Sequence, residues 1–174
     1  MGRLGDVVRR LREGVGFRID EVMSGTHDFE PGMGPPGKKP LSFRVTWGAD
    51  SIARWLTPGG EFLRGPLEGT IGVEGLCEAA PCRGTLELRY FDEHAIRYAF
   101  EFETGGRRYR FVGEKVNIRP WNLPYSHTTC FGRLTEAESG RLVSTSVTHF
   151  RLLSLPRFLT SFRIVSEDGP TIAA

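Results

Sequence analysis

Lysine is nearly missing from this chain. Of 23 basic residues only Lys38, Lys39 and Lys115 are lysines, and the rest are arginines. Arginine suits bidentate contacts to carboxylate or phosphate, although a GC-rich coding sequence explains the same bias. The net charge of +2 is too small to argue for a nucleic-acid partner. No apolar run approaches the ~20 residues needed to span a bilayer. The N-terminus lacks an apolar stretch of signal-peptide length, and Asp6 stands where a myristoylation motif needs Ser or Thr. These absences predict a cytoplasmic protein.

Cysteine is scarce and odd in number. Cys77, Cys82 and Cys130 cannot form a disulfide framework, and free thiols are expected in a reducing compartment. Catalytic signatures are missing too. There is no P-loop and no dinucleotide fingerprint; the spaced glycines of GTIGVEG (69–75) precede no helix. SVTHF, with Ser146 and His149, lacks the glycines of a nucleophile elbow. His27, His94, His127 and His149 are scattered, without metal-ligand spacing to a cysteine or carboxylate. His127 and Cys130 in HTTC would fall on opposite faces of an extended strand. No metal or cofactor is expected.

What is present is period-two alternation. Leu41, Phe43, Val45 and Trp47 share one strand face, and Leu86, Leu88 and Tyr90 another. Ile96, Tyr98, Phe100 and Phe102 share a third, opposite Arg97, Glu101 and Glu103, whose charges read as a solvated ladder. Thr104-Gly105-Gly106 joins this strand to RRYRFV as a hairpin; FDEHA and EAESG mark further turns. Further strands are expected near 69–75, 127–135, 141–152 and 161–165.

The pattern predicts an all-β antiparallel meander of about eight or nine strands, closed into a calycin- or lipocalin-like barrel. A two-sheet sandwich is the competitor. At 174 residues the chain suffices for one domain, placed at 15–174, preceded by an amphipathic helix at 1–14. Short helices are expected at 49–56, with Asp50 or Ser51 as N-cap and Ile52, Trp55 and Leu56 as its apolar stripe, and at 155–162. The Gly- and Pro-rich segment 30–40 reads as a surface loop.

One strand raises a question. Lys115, Asn117 and Arg119 fall on the same alternation as Tyr109 and Phe111. Either a bulge at Gly113 turns them to solvent, or an apolar inner face becomes polar partway along. In the second case Tyr98, Phe100, Tyr109 and Phe111 would wall an amphipathic pocket whose polar end is Lys115, Asn117 and Arg119. A buried cation there would need an acidic partner or an anionic ligand. Pro120 and Pro124 favour an irregular rim, where Trp121 and Tyr125 would sit half apolar and half wet. His127, Thr129 and His149 complete the candidate ligand-binding set. On strand 141–152 both faces are partly apolar, so the inward side is open.

Several stretches in order give the chain a resemblance. They are EVMSG (21–25), LSFRVTW (41–47), EGT (68–70), PCRGTLEL (81–88), IRYAFEF (96–102), GEK (113–115), WNLPYSHTT (121–129) and FLTSFRI (158–164). Together they resemble the accessory, calycin-like region appended to bacterial cholesterol-oxidase-like flavoproteins of the glucose–methanol–choline oxidoreductase family. The resemblance implies a role in sterol or other lipid handling, with a flavin-dependent oxidoreductase as a partner in trans. It carries over no catalytic residue, because that family's flavin-binding motifs are absent. The chain departs from the pattern in its cysteine pair and in the 30–40 loop.

Three functions therefore stand as expectations. The leading one is binding of a hydrophobic small molecule, a sterol or fatty acyl compound, inside the barrel. The second is a small enzyme acting on a lipid, with His127 or His149 and a cross-strand Glu moving protons. The third is a partner-docking domain whose core is filled.

Overall fold

The computed structural model describes residues 14–59, 61–116, 129–150, 160–166 and 169–173. The predicted helix at 1–14, most of the one at 155–162, and Asn117, Arg119, Trp121, Tyr125 and His127 lie outside the described residues. The order is β1 (Val15–Phe29), β2 (Lys39–Ala49), α1 (Ile52–Leu56), β3 (Arg64–Val73), β4 (Cys77–Arg89), β5 (Ala95–Thr104) and β6 (Arg107–Lys115). It continues with β7 (Thr129–Glu136), β8 (Leu142–Phe150), β9 (Arg163–Ser166) and β10 (Gly169–Ala173).

Strands β1 to β8 pair with their sequence neighbours, all antiparallel, and β8 returns to pair with β1. The meander is therefore a closed barrel rather than a two-sheet sandwich. The β8 pairing runs only from Phe29 back to Met23. From Arg18 to Val15 the same edge of β1 is taken by β9, which carries β10 on its far side. Between these two pairings, residues 19–22 of β1 have no strand partner on that edge among the described residues. Asp20 bolts this seam. Its carboxylate takes two hydrogen bonds from the Arg163 guanidinium (2.9 and 3.0 Å) and one from the Thr46 hydroxyl (2.7 Å).

The core follows from the alternation. Leu41, Phe43, Val45 and Trp47 on β2, and Ile96, Tyr98, Phe100 and Phe102 on β5, are all buried. Outside, Glu101 meets Arg110 at 3.4 Å, Arg97 meets Glu114 at 3.6 Å and Glu103 meets Arg108 at 3.8 Å, a solvated ladder of small individual worth. The β5–β6 hairpin closes through Gly105 (φ 56°) and Gly106 (φ 71°), the two left-handed residues that a tight two-residue turn demands.

Three sequence readings are decided: the expected free thiols stand, the stripe of the first helix changes, and the alternative at Gly113 resolves. β4 starts at Cys77 and passes straight through Pro81, so Cys77 and Cys82 stand five residues apart on one extended strand. That separation, roughly 16 Å, is beyond disulfide reach, and all three cysteines are free thiols. Helix α1 is a single turn capped by Ser51, whose hydroxyl accepts from the Arg54 N–H at 3.3 Å; Leu56 is exposed rather than part of its buried stripe. Trp55 instead packs edge-on to Phe17, 5.0 Å between ring centroids.

The third concerns Gly113, where a bulge and a polar inner face are the alternatives. No bulge occurs there: the β5–β6 register runs unbroken from Thr104–Arg107 to Ile96–Lys115. A Cβ on Gly113 would meet the Phe111 ring and Cys130 Sγ at 2.7 Å, and one on Gly132 would meet the same ring at 2.6 Å. The two glycines face each other across β6 and β7, and the Phe111 ring fills the room they leave. Gly132→Ala should therefore lower stability by about 1–3 kcal/mol in urea unfolding, the range for overpacked cores. A change under a few tenths would show that Phe111 can move aside.

Candidate functional site

With no bulge, the inner face does turn polar. Lys115 is 3% exposed and points inward with Tyr109, Phe111 and Gly113. Its Nζ lies 2.5 Å from Glu21 Oε1, a carboxylate 5% exposed on β1 across the barrel interior. The Tyr98 hydroxyl donates to the same carboxylate, 3.0 and 2.9 Å from its two oxygens. Burial first, and then the Glu21 charge, hold the Tyr98 phenol well above its usual pKa, so it stays a neutral donor. The ammonium also lies 5.2 Å from the Tyr98 ring centroid and 6.0 Å from that of Phe150.

Around this group the inward wall is apolar and only half-buried: Ile19, Leu88, Tyr90 and Phe150 pack against the core. Tyr90 is pushed up to about 12 by burial, with the Glu21 charge adding to it. Beneath it the barrel is filled. Phe100 and Phe111 stack at 4.9 Å, and Phe43 lies 5.5 Å from both. Phe102 and Tyr109 stack at 5.5 Å nearer the other end. Tyr98, Phe100, Tyr109 and Phe111 thus pack on one another rather than walling a long hollow. The place where apolar surface and a polar group meet is the Lys115 end.

Thr129 and His149 do not join it. A register shift between β7 and β8 near Leu134 and Thr135 puts both Val143 and Ser144 inside. Beyond it Ser146 and Thr148 face inward, while Val147 and His149 face out. His149 Nδ1 is hydrogen-bonded to Thr129 Oγ1 (3.1 Å) on the outer wall, beside exposed Phe131 and Val116. Among the described residues, no group of three histidines, cysteines or carboxylates could hold a metal. Cys82 and Cys130 are pushed up to about 12 by burial, which keeps them as thiols rather than nucleophilic thiolates.

A second polar cluster sits further along the β1–β8 seam, six residues beyond Glu21 on β1. His27, 1% exposed, donates from Nε2 to the Glu74 carbonyl (3.1 Å), which leaves Nδ1 as a bare acceptor. Among the described residues Nδ1 has no hydrogen-bond partner, and neither do the buried hydroxyls of Ser144 and Ser146, the latter opposite His27 in the pairing. Burial lowers the His27 pKa below its ordinary 6.5.

Glu21 and His27 were missed from sequence. Both lie on the odd-numbered side of β1 with Phe17, Ile19, Met23 and Phe29, so the alternation of that strand carried the signal. A lone acid on an inward face is the natural partner for the lone lysine on another. Comparison with family models, with curated proteins and with solved structures gave no match to this chain.

Two outcomes are expected. Lys115→Met strands a buried carboxylate and should cost about 3–5 kcal/mol in urea unfolding, whereas Glu21→Leu combined with Lys115→Met should recover most of that loss. Additive losses in the double variant would mean that the two charges do not act as a pair. For His27, the unfolded chain takes up a proton more readily than the folded one below 6.5. Its contribution to stability is therefore full above 6.5 and is lost as the pH falls toward the lower folded pKa. Melting temperature should fall across that window, and less steeply in His27→Phe.

Proposed function

We propose that the protein is a calycin-like binding barrel that takes a hydrophobic small molecule at its Lys115 end. The observation that carries this reading is the Glu21–Lys115 pair, 2.5 Å apart and almost wholly buried, among half-exposed apolar side chains. A buried ion pair is weak support for stability, since apolar residues of similar volume commonly serve as well. Its presence beside an incompletely covered apolar wall is what orienting a ligand's polar group requires. At the same level of the barrel, residues 19–22 lack a strand ladder on one edge among the described residues, and Asp20 is held there by Ser161 and Arg163 instead.

The filled centre limits the occupant. A ligand would lie in the mouth against Ile19, Leu88, Tyr90 and Phe150, with its polar group toward Lys115, rather than thread the barrel as in a hollow lipid carrier. The motif resemblance favours a sterol or other lipid, held for a flavin-dependent oxidoreductase acting in trans.

A second reading has its own observation. The packed rings of Phe43, Phe100 and Phe111, with exposed Phe131, Val116 and Val147 on the outer wall, suit a docking domain with a solid core. The acid/base enzyme has less behind it: His149 is outside the barrel, and His127 lies outside the described residues.

Native mass spectrometry of the purified protein, with extraction of whatever is released, separates the two readings. A stoichiometric lipid, or a mass shift on adding sterols or long-chain alcohols, is the expected result. A clean unliganded mass with no shift would favour the docking domain.

A further inference from the structure

Lys115 has three N–H donors, and among the described residues its one hydrogen-bond acceptor is Glu21. Two donors on an ammonium 97% removed from solvent are thus unused, apart from the flanking Tyr98 and Phe150 rings. Trp47, on the inward face of β2 opposite Ile19, carries a second unused donor: its buried indole N–H has no partner among the described residues. The nearby acceptor, by contrast, is engaged: the Glu21 carboxylate accepts from Lys115, and the single Tyr98 O–H is shared between its two oxygens. This end of the barrel therefore has donors to spare.

Its charge is already balanced. One ammonium and one carboxylate sum to zero, so a second anion drawn to Lys115 would also approach Glu21. Attraction and repulsion largely offset each other, while the cost of desolvating the incoming carboxylate stays uncompensated. A hydroxyl, ketone or ester oxygen accepts the same hydrogen bonds without that cost. The sequence alone leaves a buried cation needing either an acidic partner or an anionic ligand; Glu21 is that acidic partner, so no anionic ligand is required.

Resting on the ligand-binding reading above, we propose that this site selects apolar molecules bearing a neutral oxygen acceptor and rejects the matching carboxylates. Glu21 is the specificity-determining residue: it neutralises Lys115 and leaves it as a donor only.

The test compares probes of matched apolar body on the full chain, in mildly alkaline buffer where the acids are ionised. One pair is 1-hexadecanol and palmitate, and the other is cholesterol and cholesteryl hemisuccinate. Wild-type protein should bind the neutral member of at least one pair about tenfold more tightly or better, a difference of ~1.4 kcal/mol. Glu21→Gln keeps the shape, frees the charge of Lys115 and should reverse the order. If Glu21→Gln does not fold, a pH titration of the wild type serves instead: palmitate should bind more tightly as acidification neutralises its carboxylate. Equal or tighter binding of the ionised acids by the wild type would overturn the selectivity while leaving a ligand-binding barrel. Binding of neither member of either pair would overturn the site and the selectivity together.

Discussion

The contact between Glu21 and Lys115 is the constraint around which the rest of this barrel is arranged. The two residues are 94 positions apart in sequence and come from β1 and β6, strands that do not pair with each other. Bringing them within 2.5 Å requires the meander to close, so that the inner faces of distant strands look at one another. It also fixes register. A slip of one residue on either strand would turn one charge outward and leave the other buried alone, a loss far greater than any single surface pair could offset.

The glycines belong to the same arrangement. Phe111 lies two residues before Gly113 and four before Lys115, and its ring rests over Gly113 and Gly132. Removing side chains there lets one large ring close the middle of the barrel. Above that plug are the paired charges and a half-covered apolar rim; below it the rings of Phe102 and Tyr109 stack and His27 packs edge-on to Phe29. Where β1 exchanges β8 for β9, the wall is stitched by Asp20 and Arg163 instead of by a ladder. Hydrogen bonding to Arg163 holds the Asp20 carboxyl below its usual range, so this stitch weakens only in strong acid.

Much of this was legible from period-two alternation, because a strand buried on one face writes its orientation into every second residue. The 41–47 and 96–102 faces can be read that way; the Gly105-Gly106 hairpin comes from turn chemistry, and the cap narrows to Asp50 or Ser51, of which the structure uses Ser51. Gly113 was ambiguous because a glycine in a strand marks either a bulge or a close approach, and only the Phe111 ring distinguishes them. β8 was unreadable for a different reason: its inward residues past the register shift are Ser146 and Thr148, while apolar Val147 faces out. Glu21 could have been found, but a strand rich in Asp, Glu, Ser and Thr does not announce an inner face. The proposed selectivity rests on unused donors and balanced charge, which no one-dimensional pattern displays.

The scarcity of lysine makes one measurement unusually direct. With only Lys38, Lys39 and Lys115 to assign, the side-chain ammonium groups can be followed individually by proton–nitrogen NMR. The account predicts that one of the three is protected from solvent exchange, loses that protection in Glu21→Gln, and shifts when a long-chain alcohol is added. Three ammonium signals exchanging alike, and indifferent to both changes, would contradict a buried, ligand-facing Lys115.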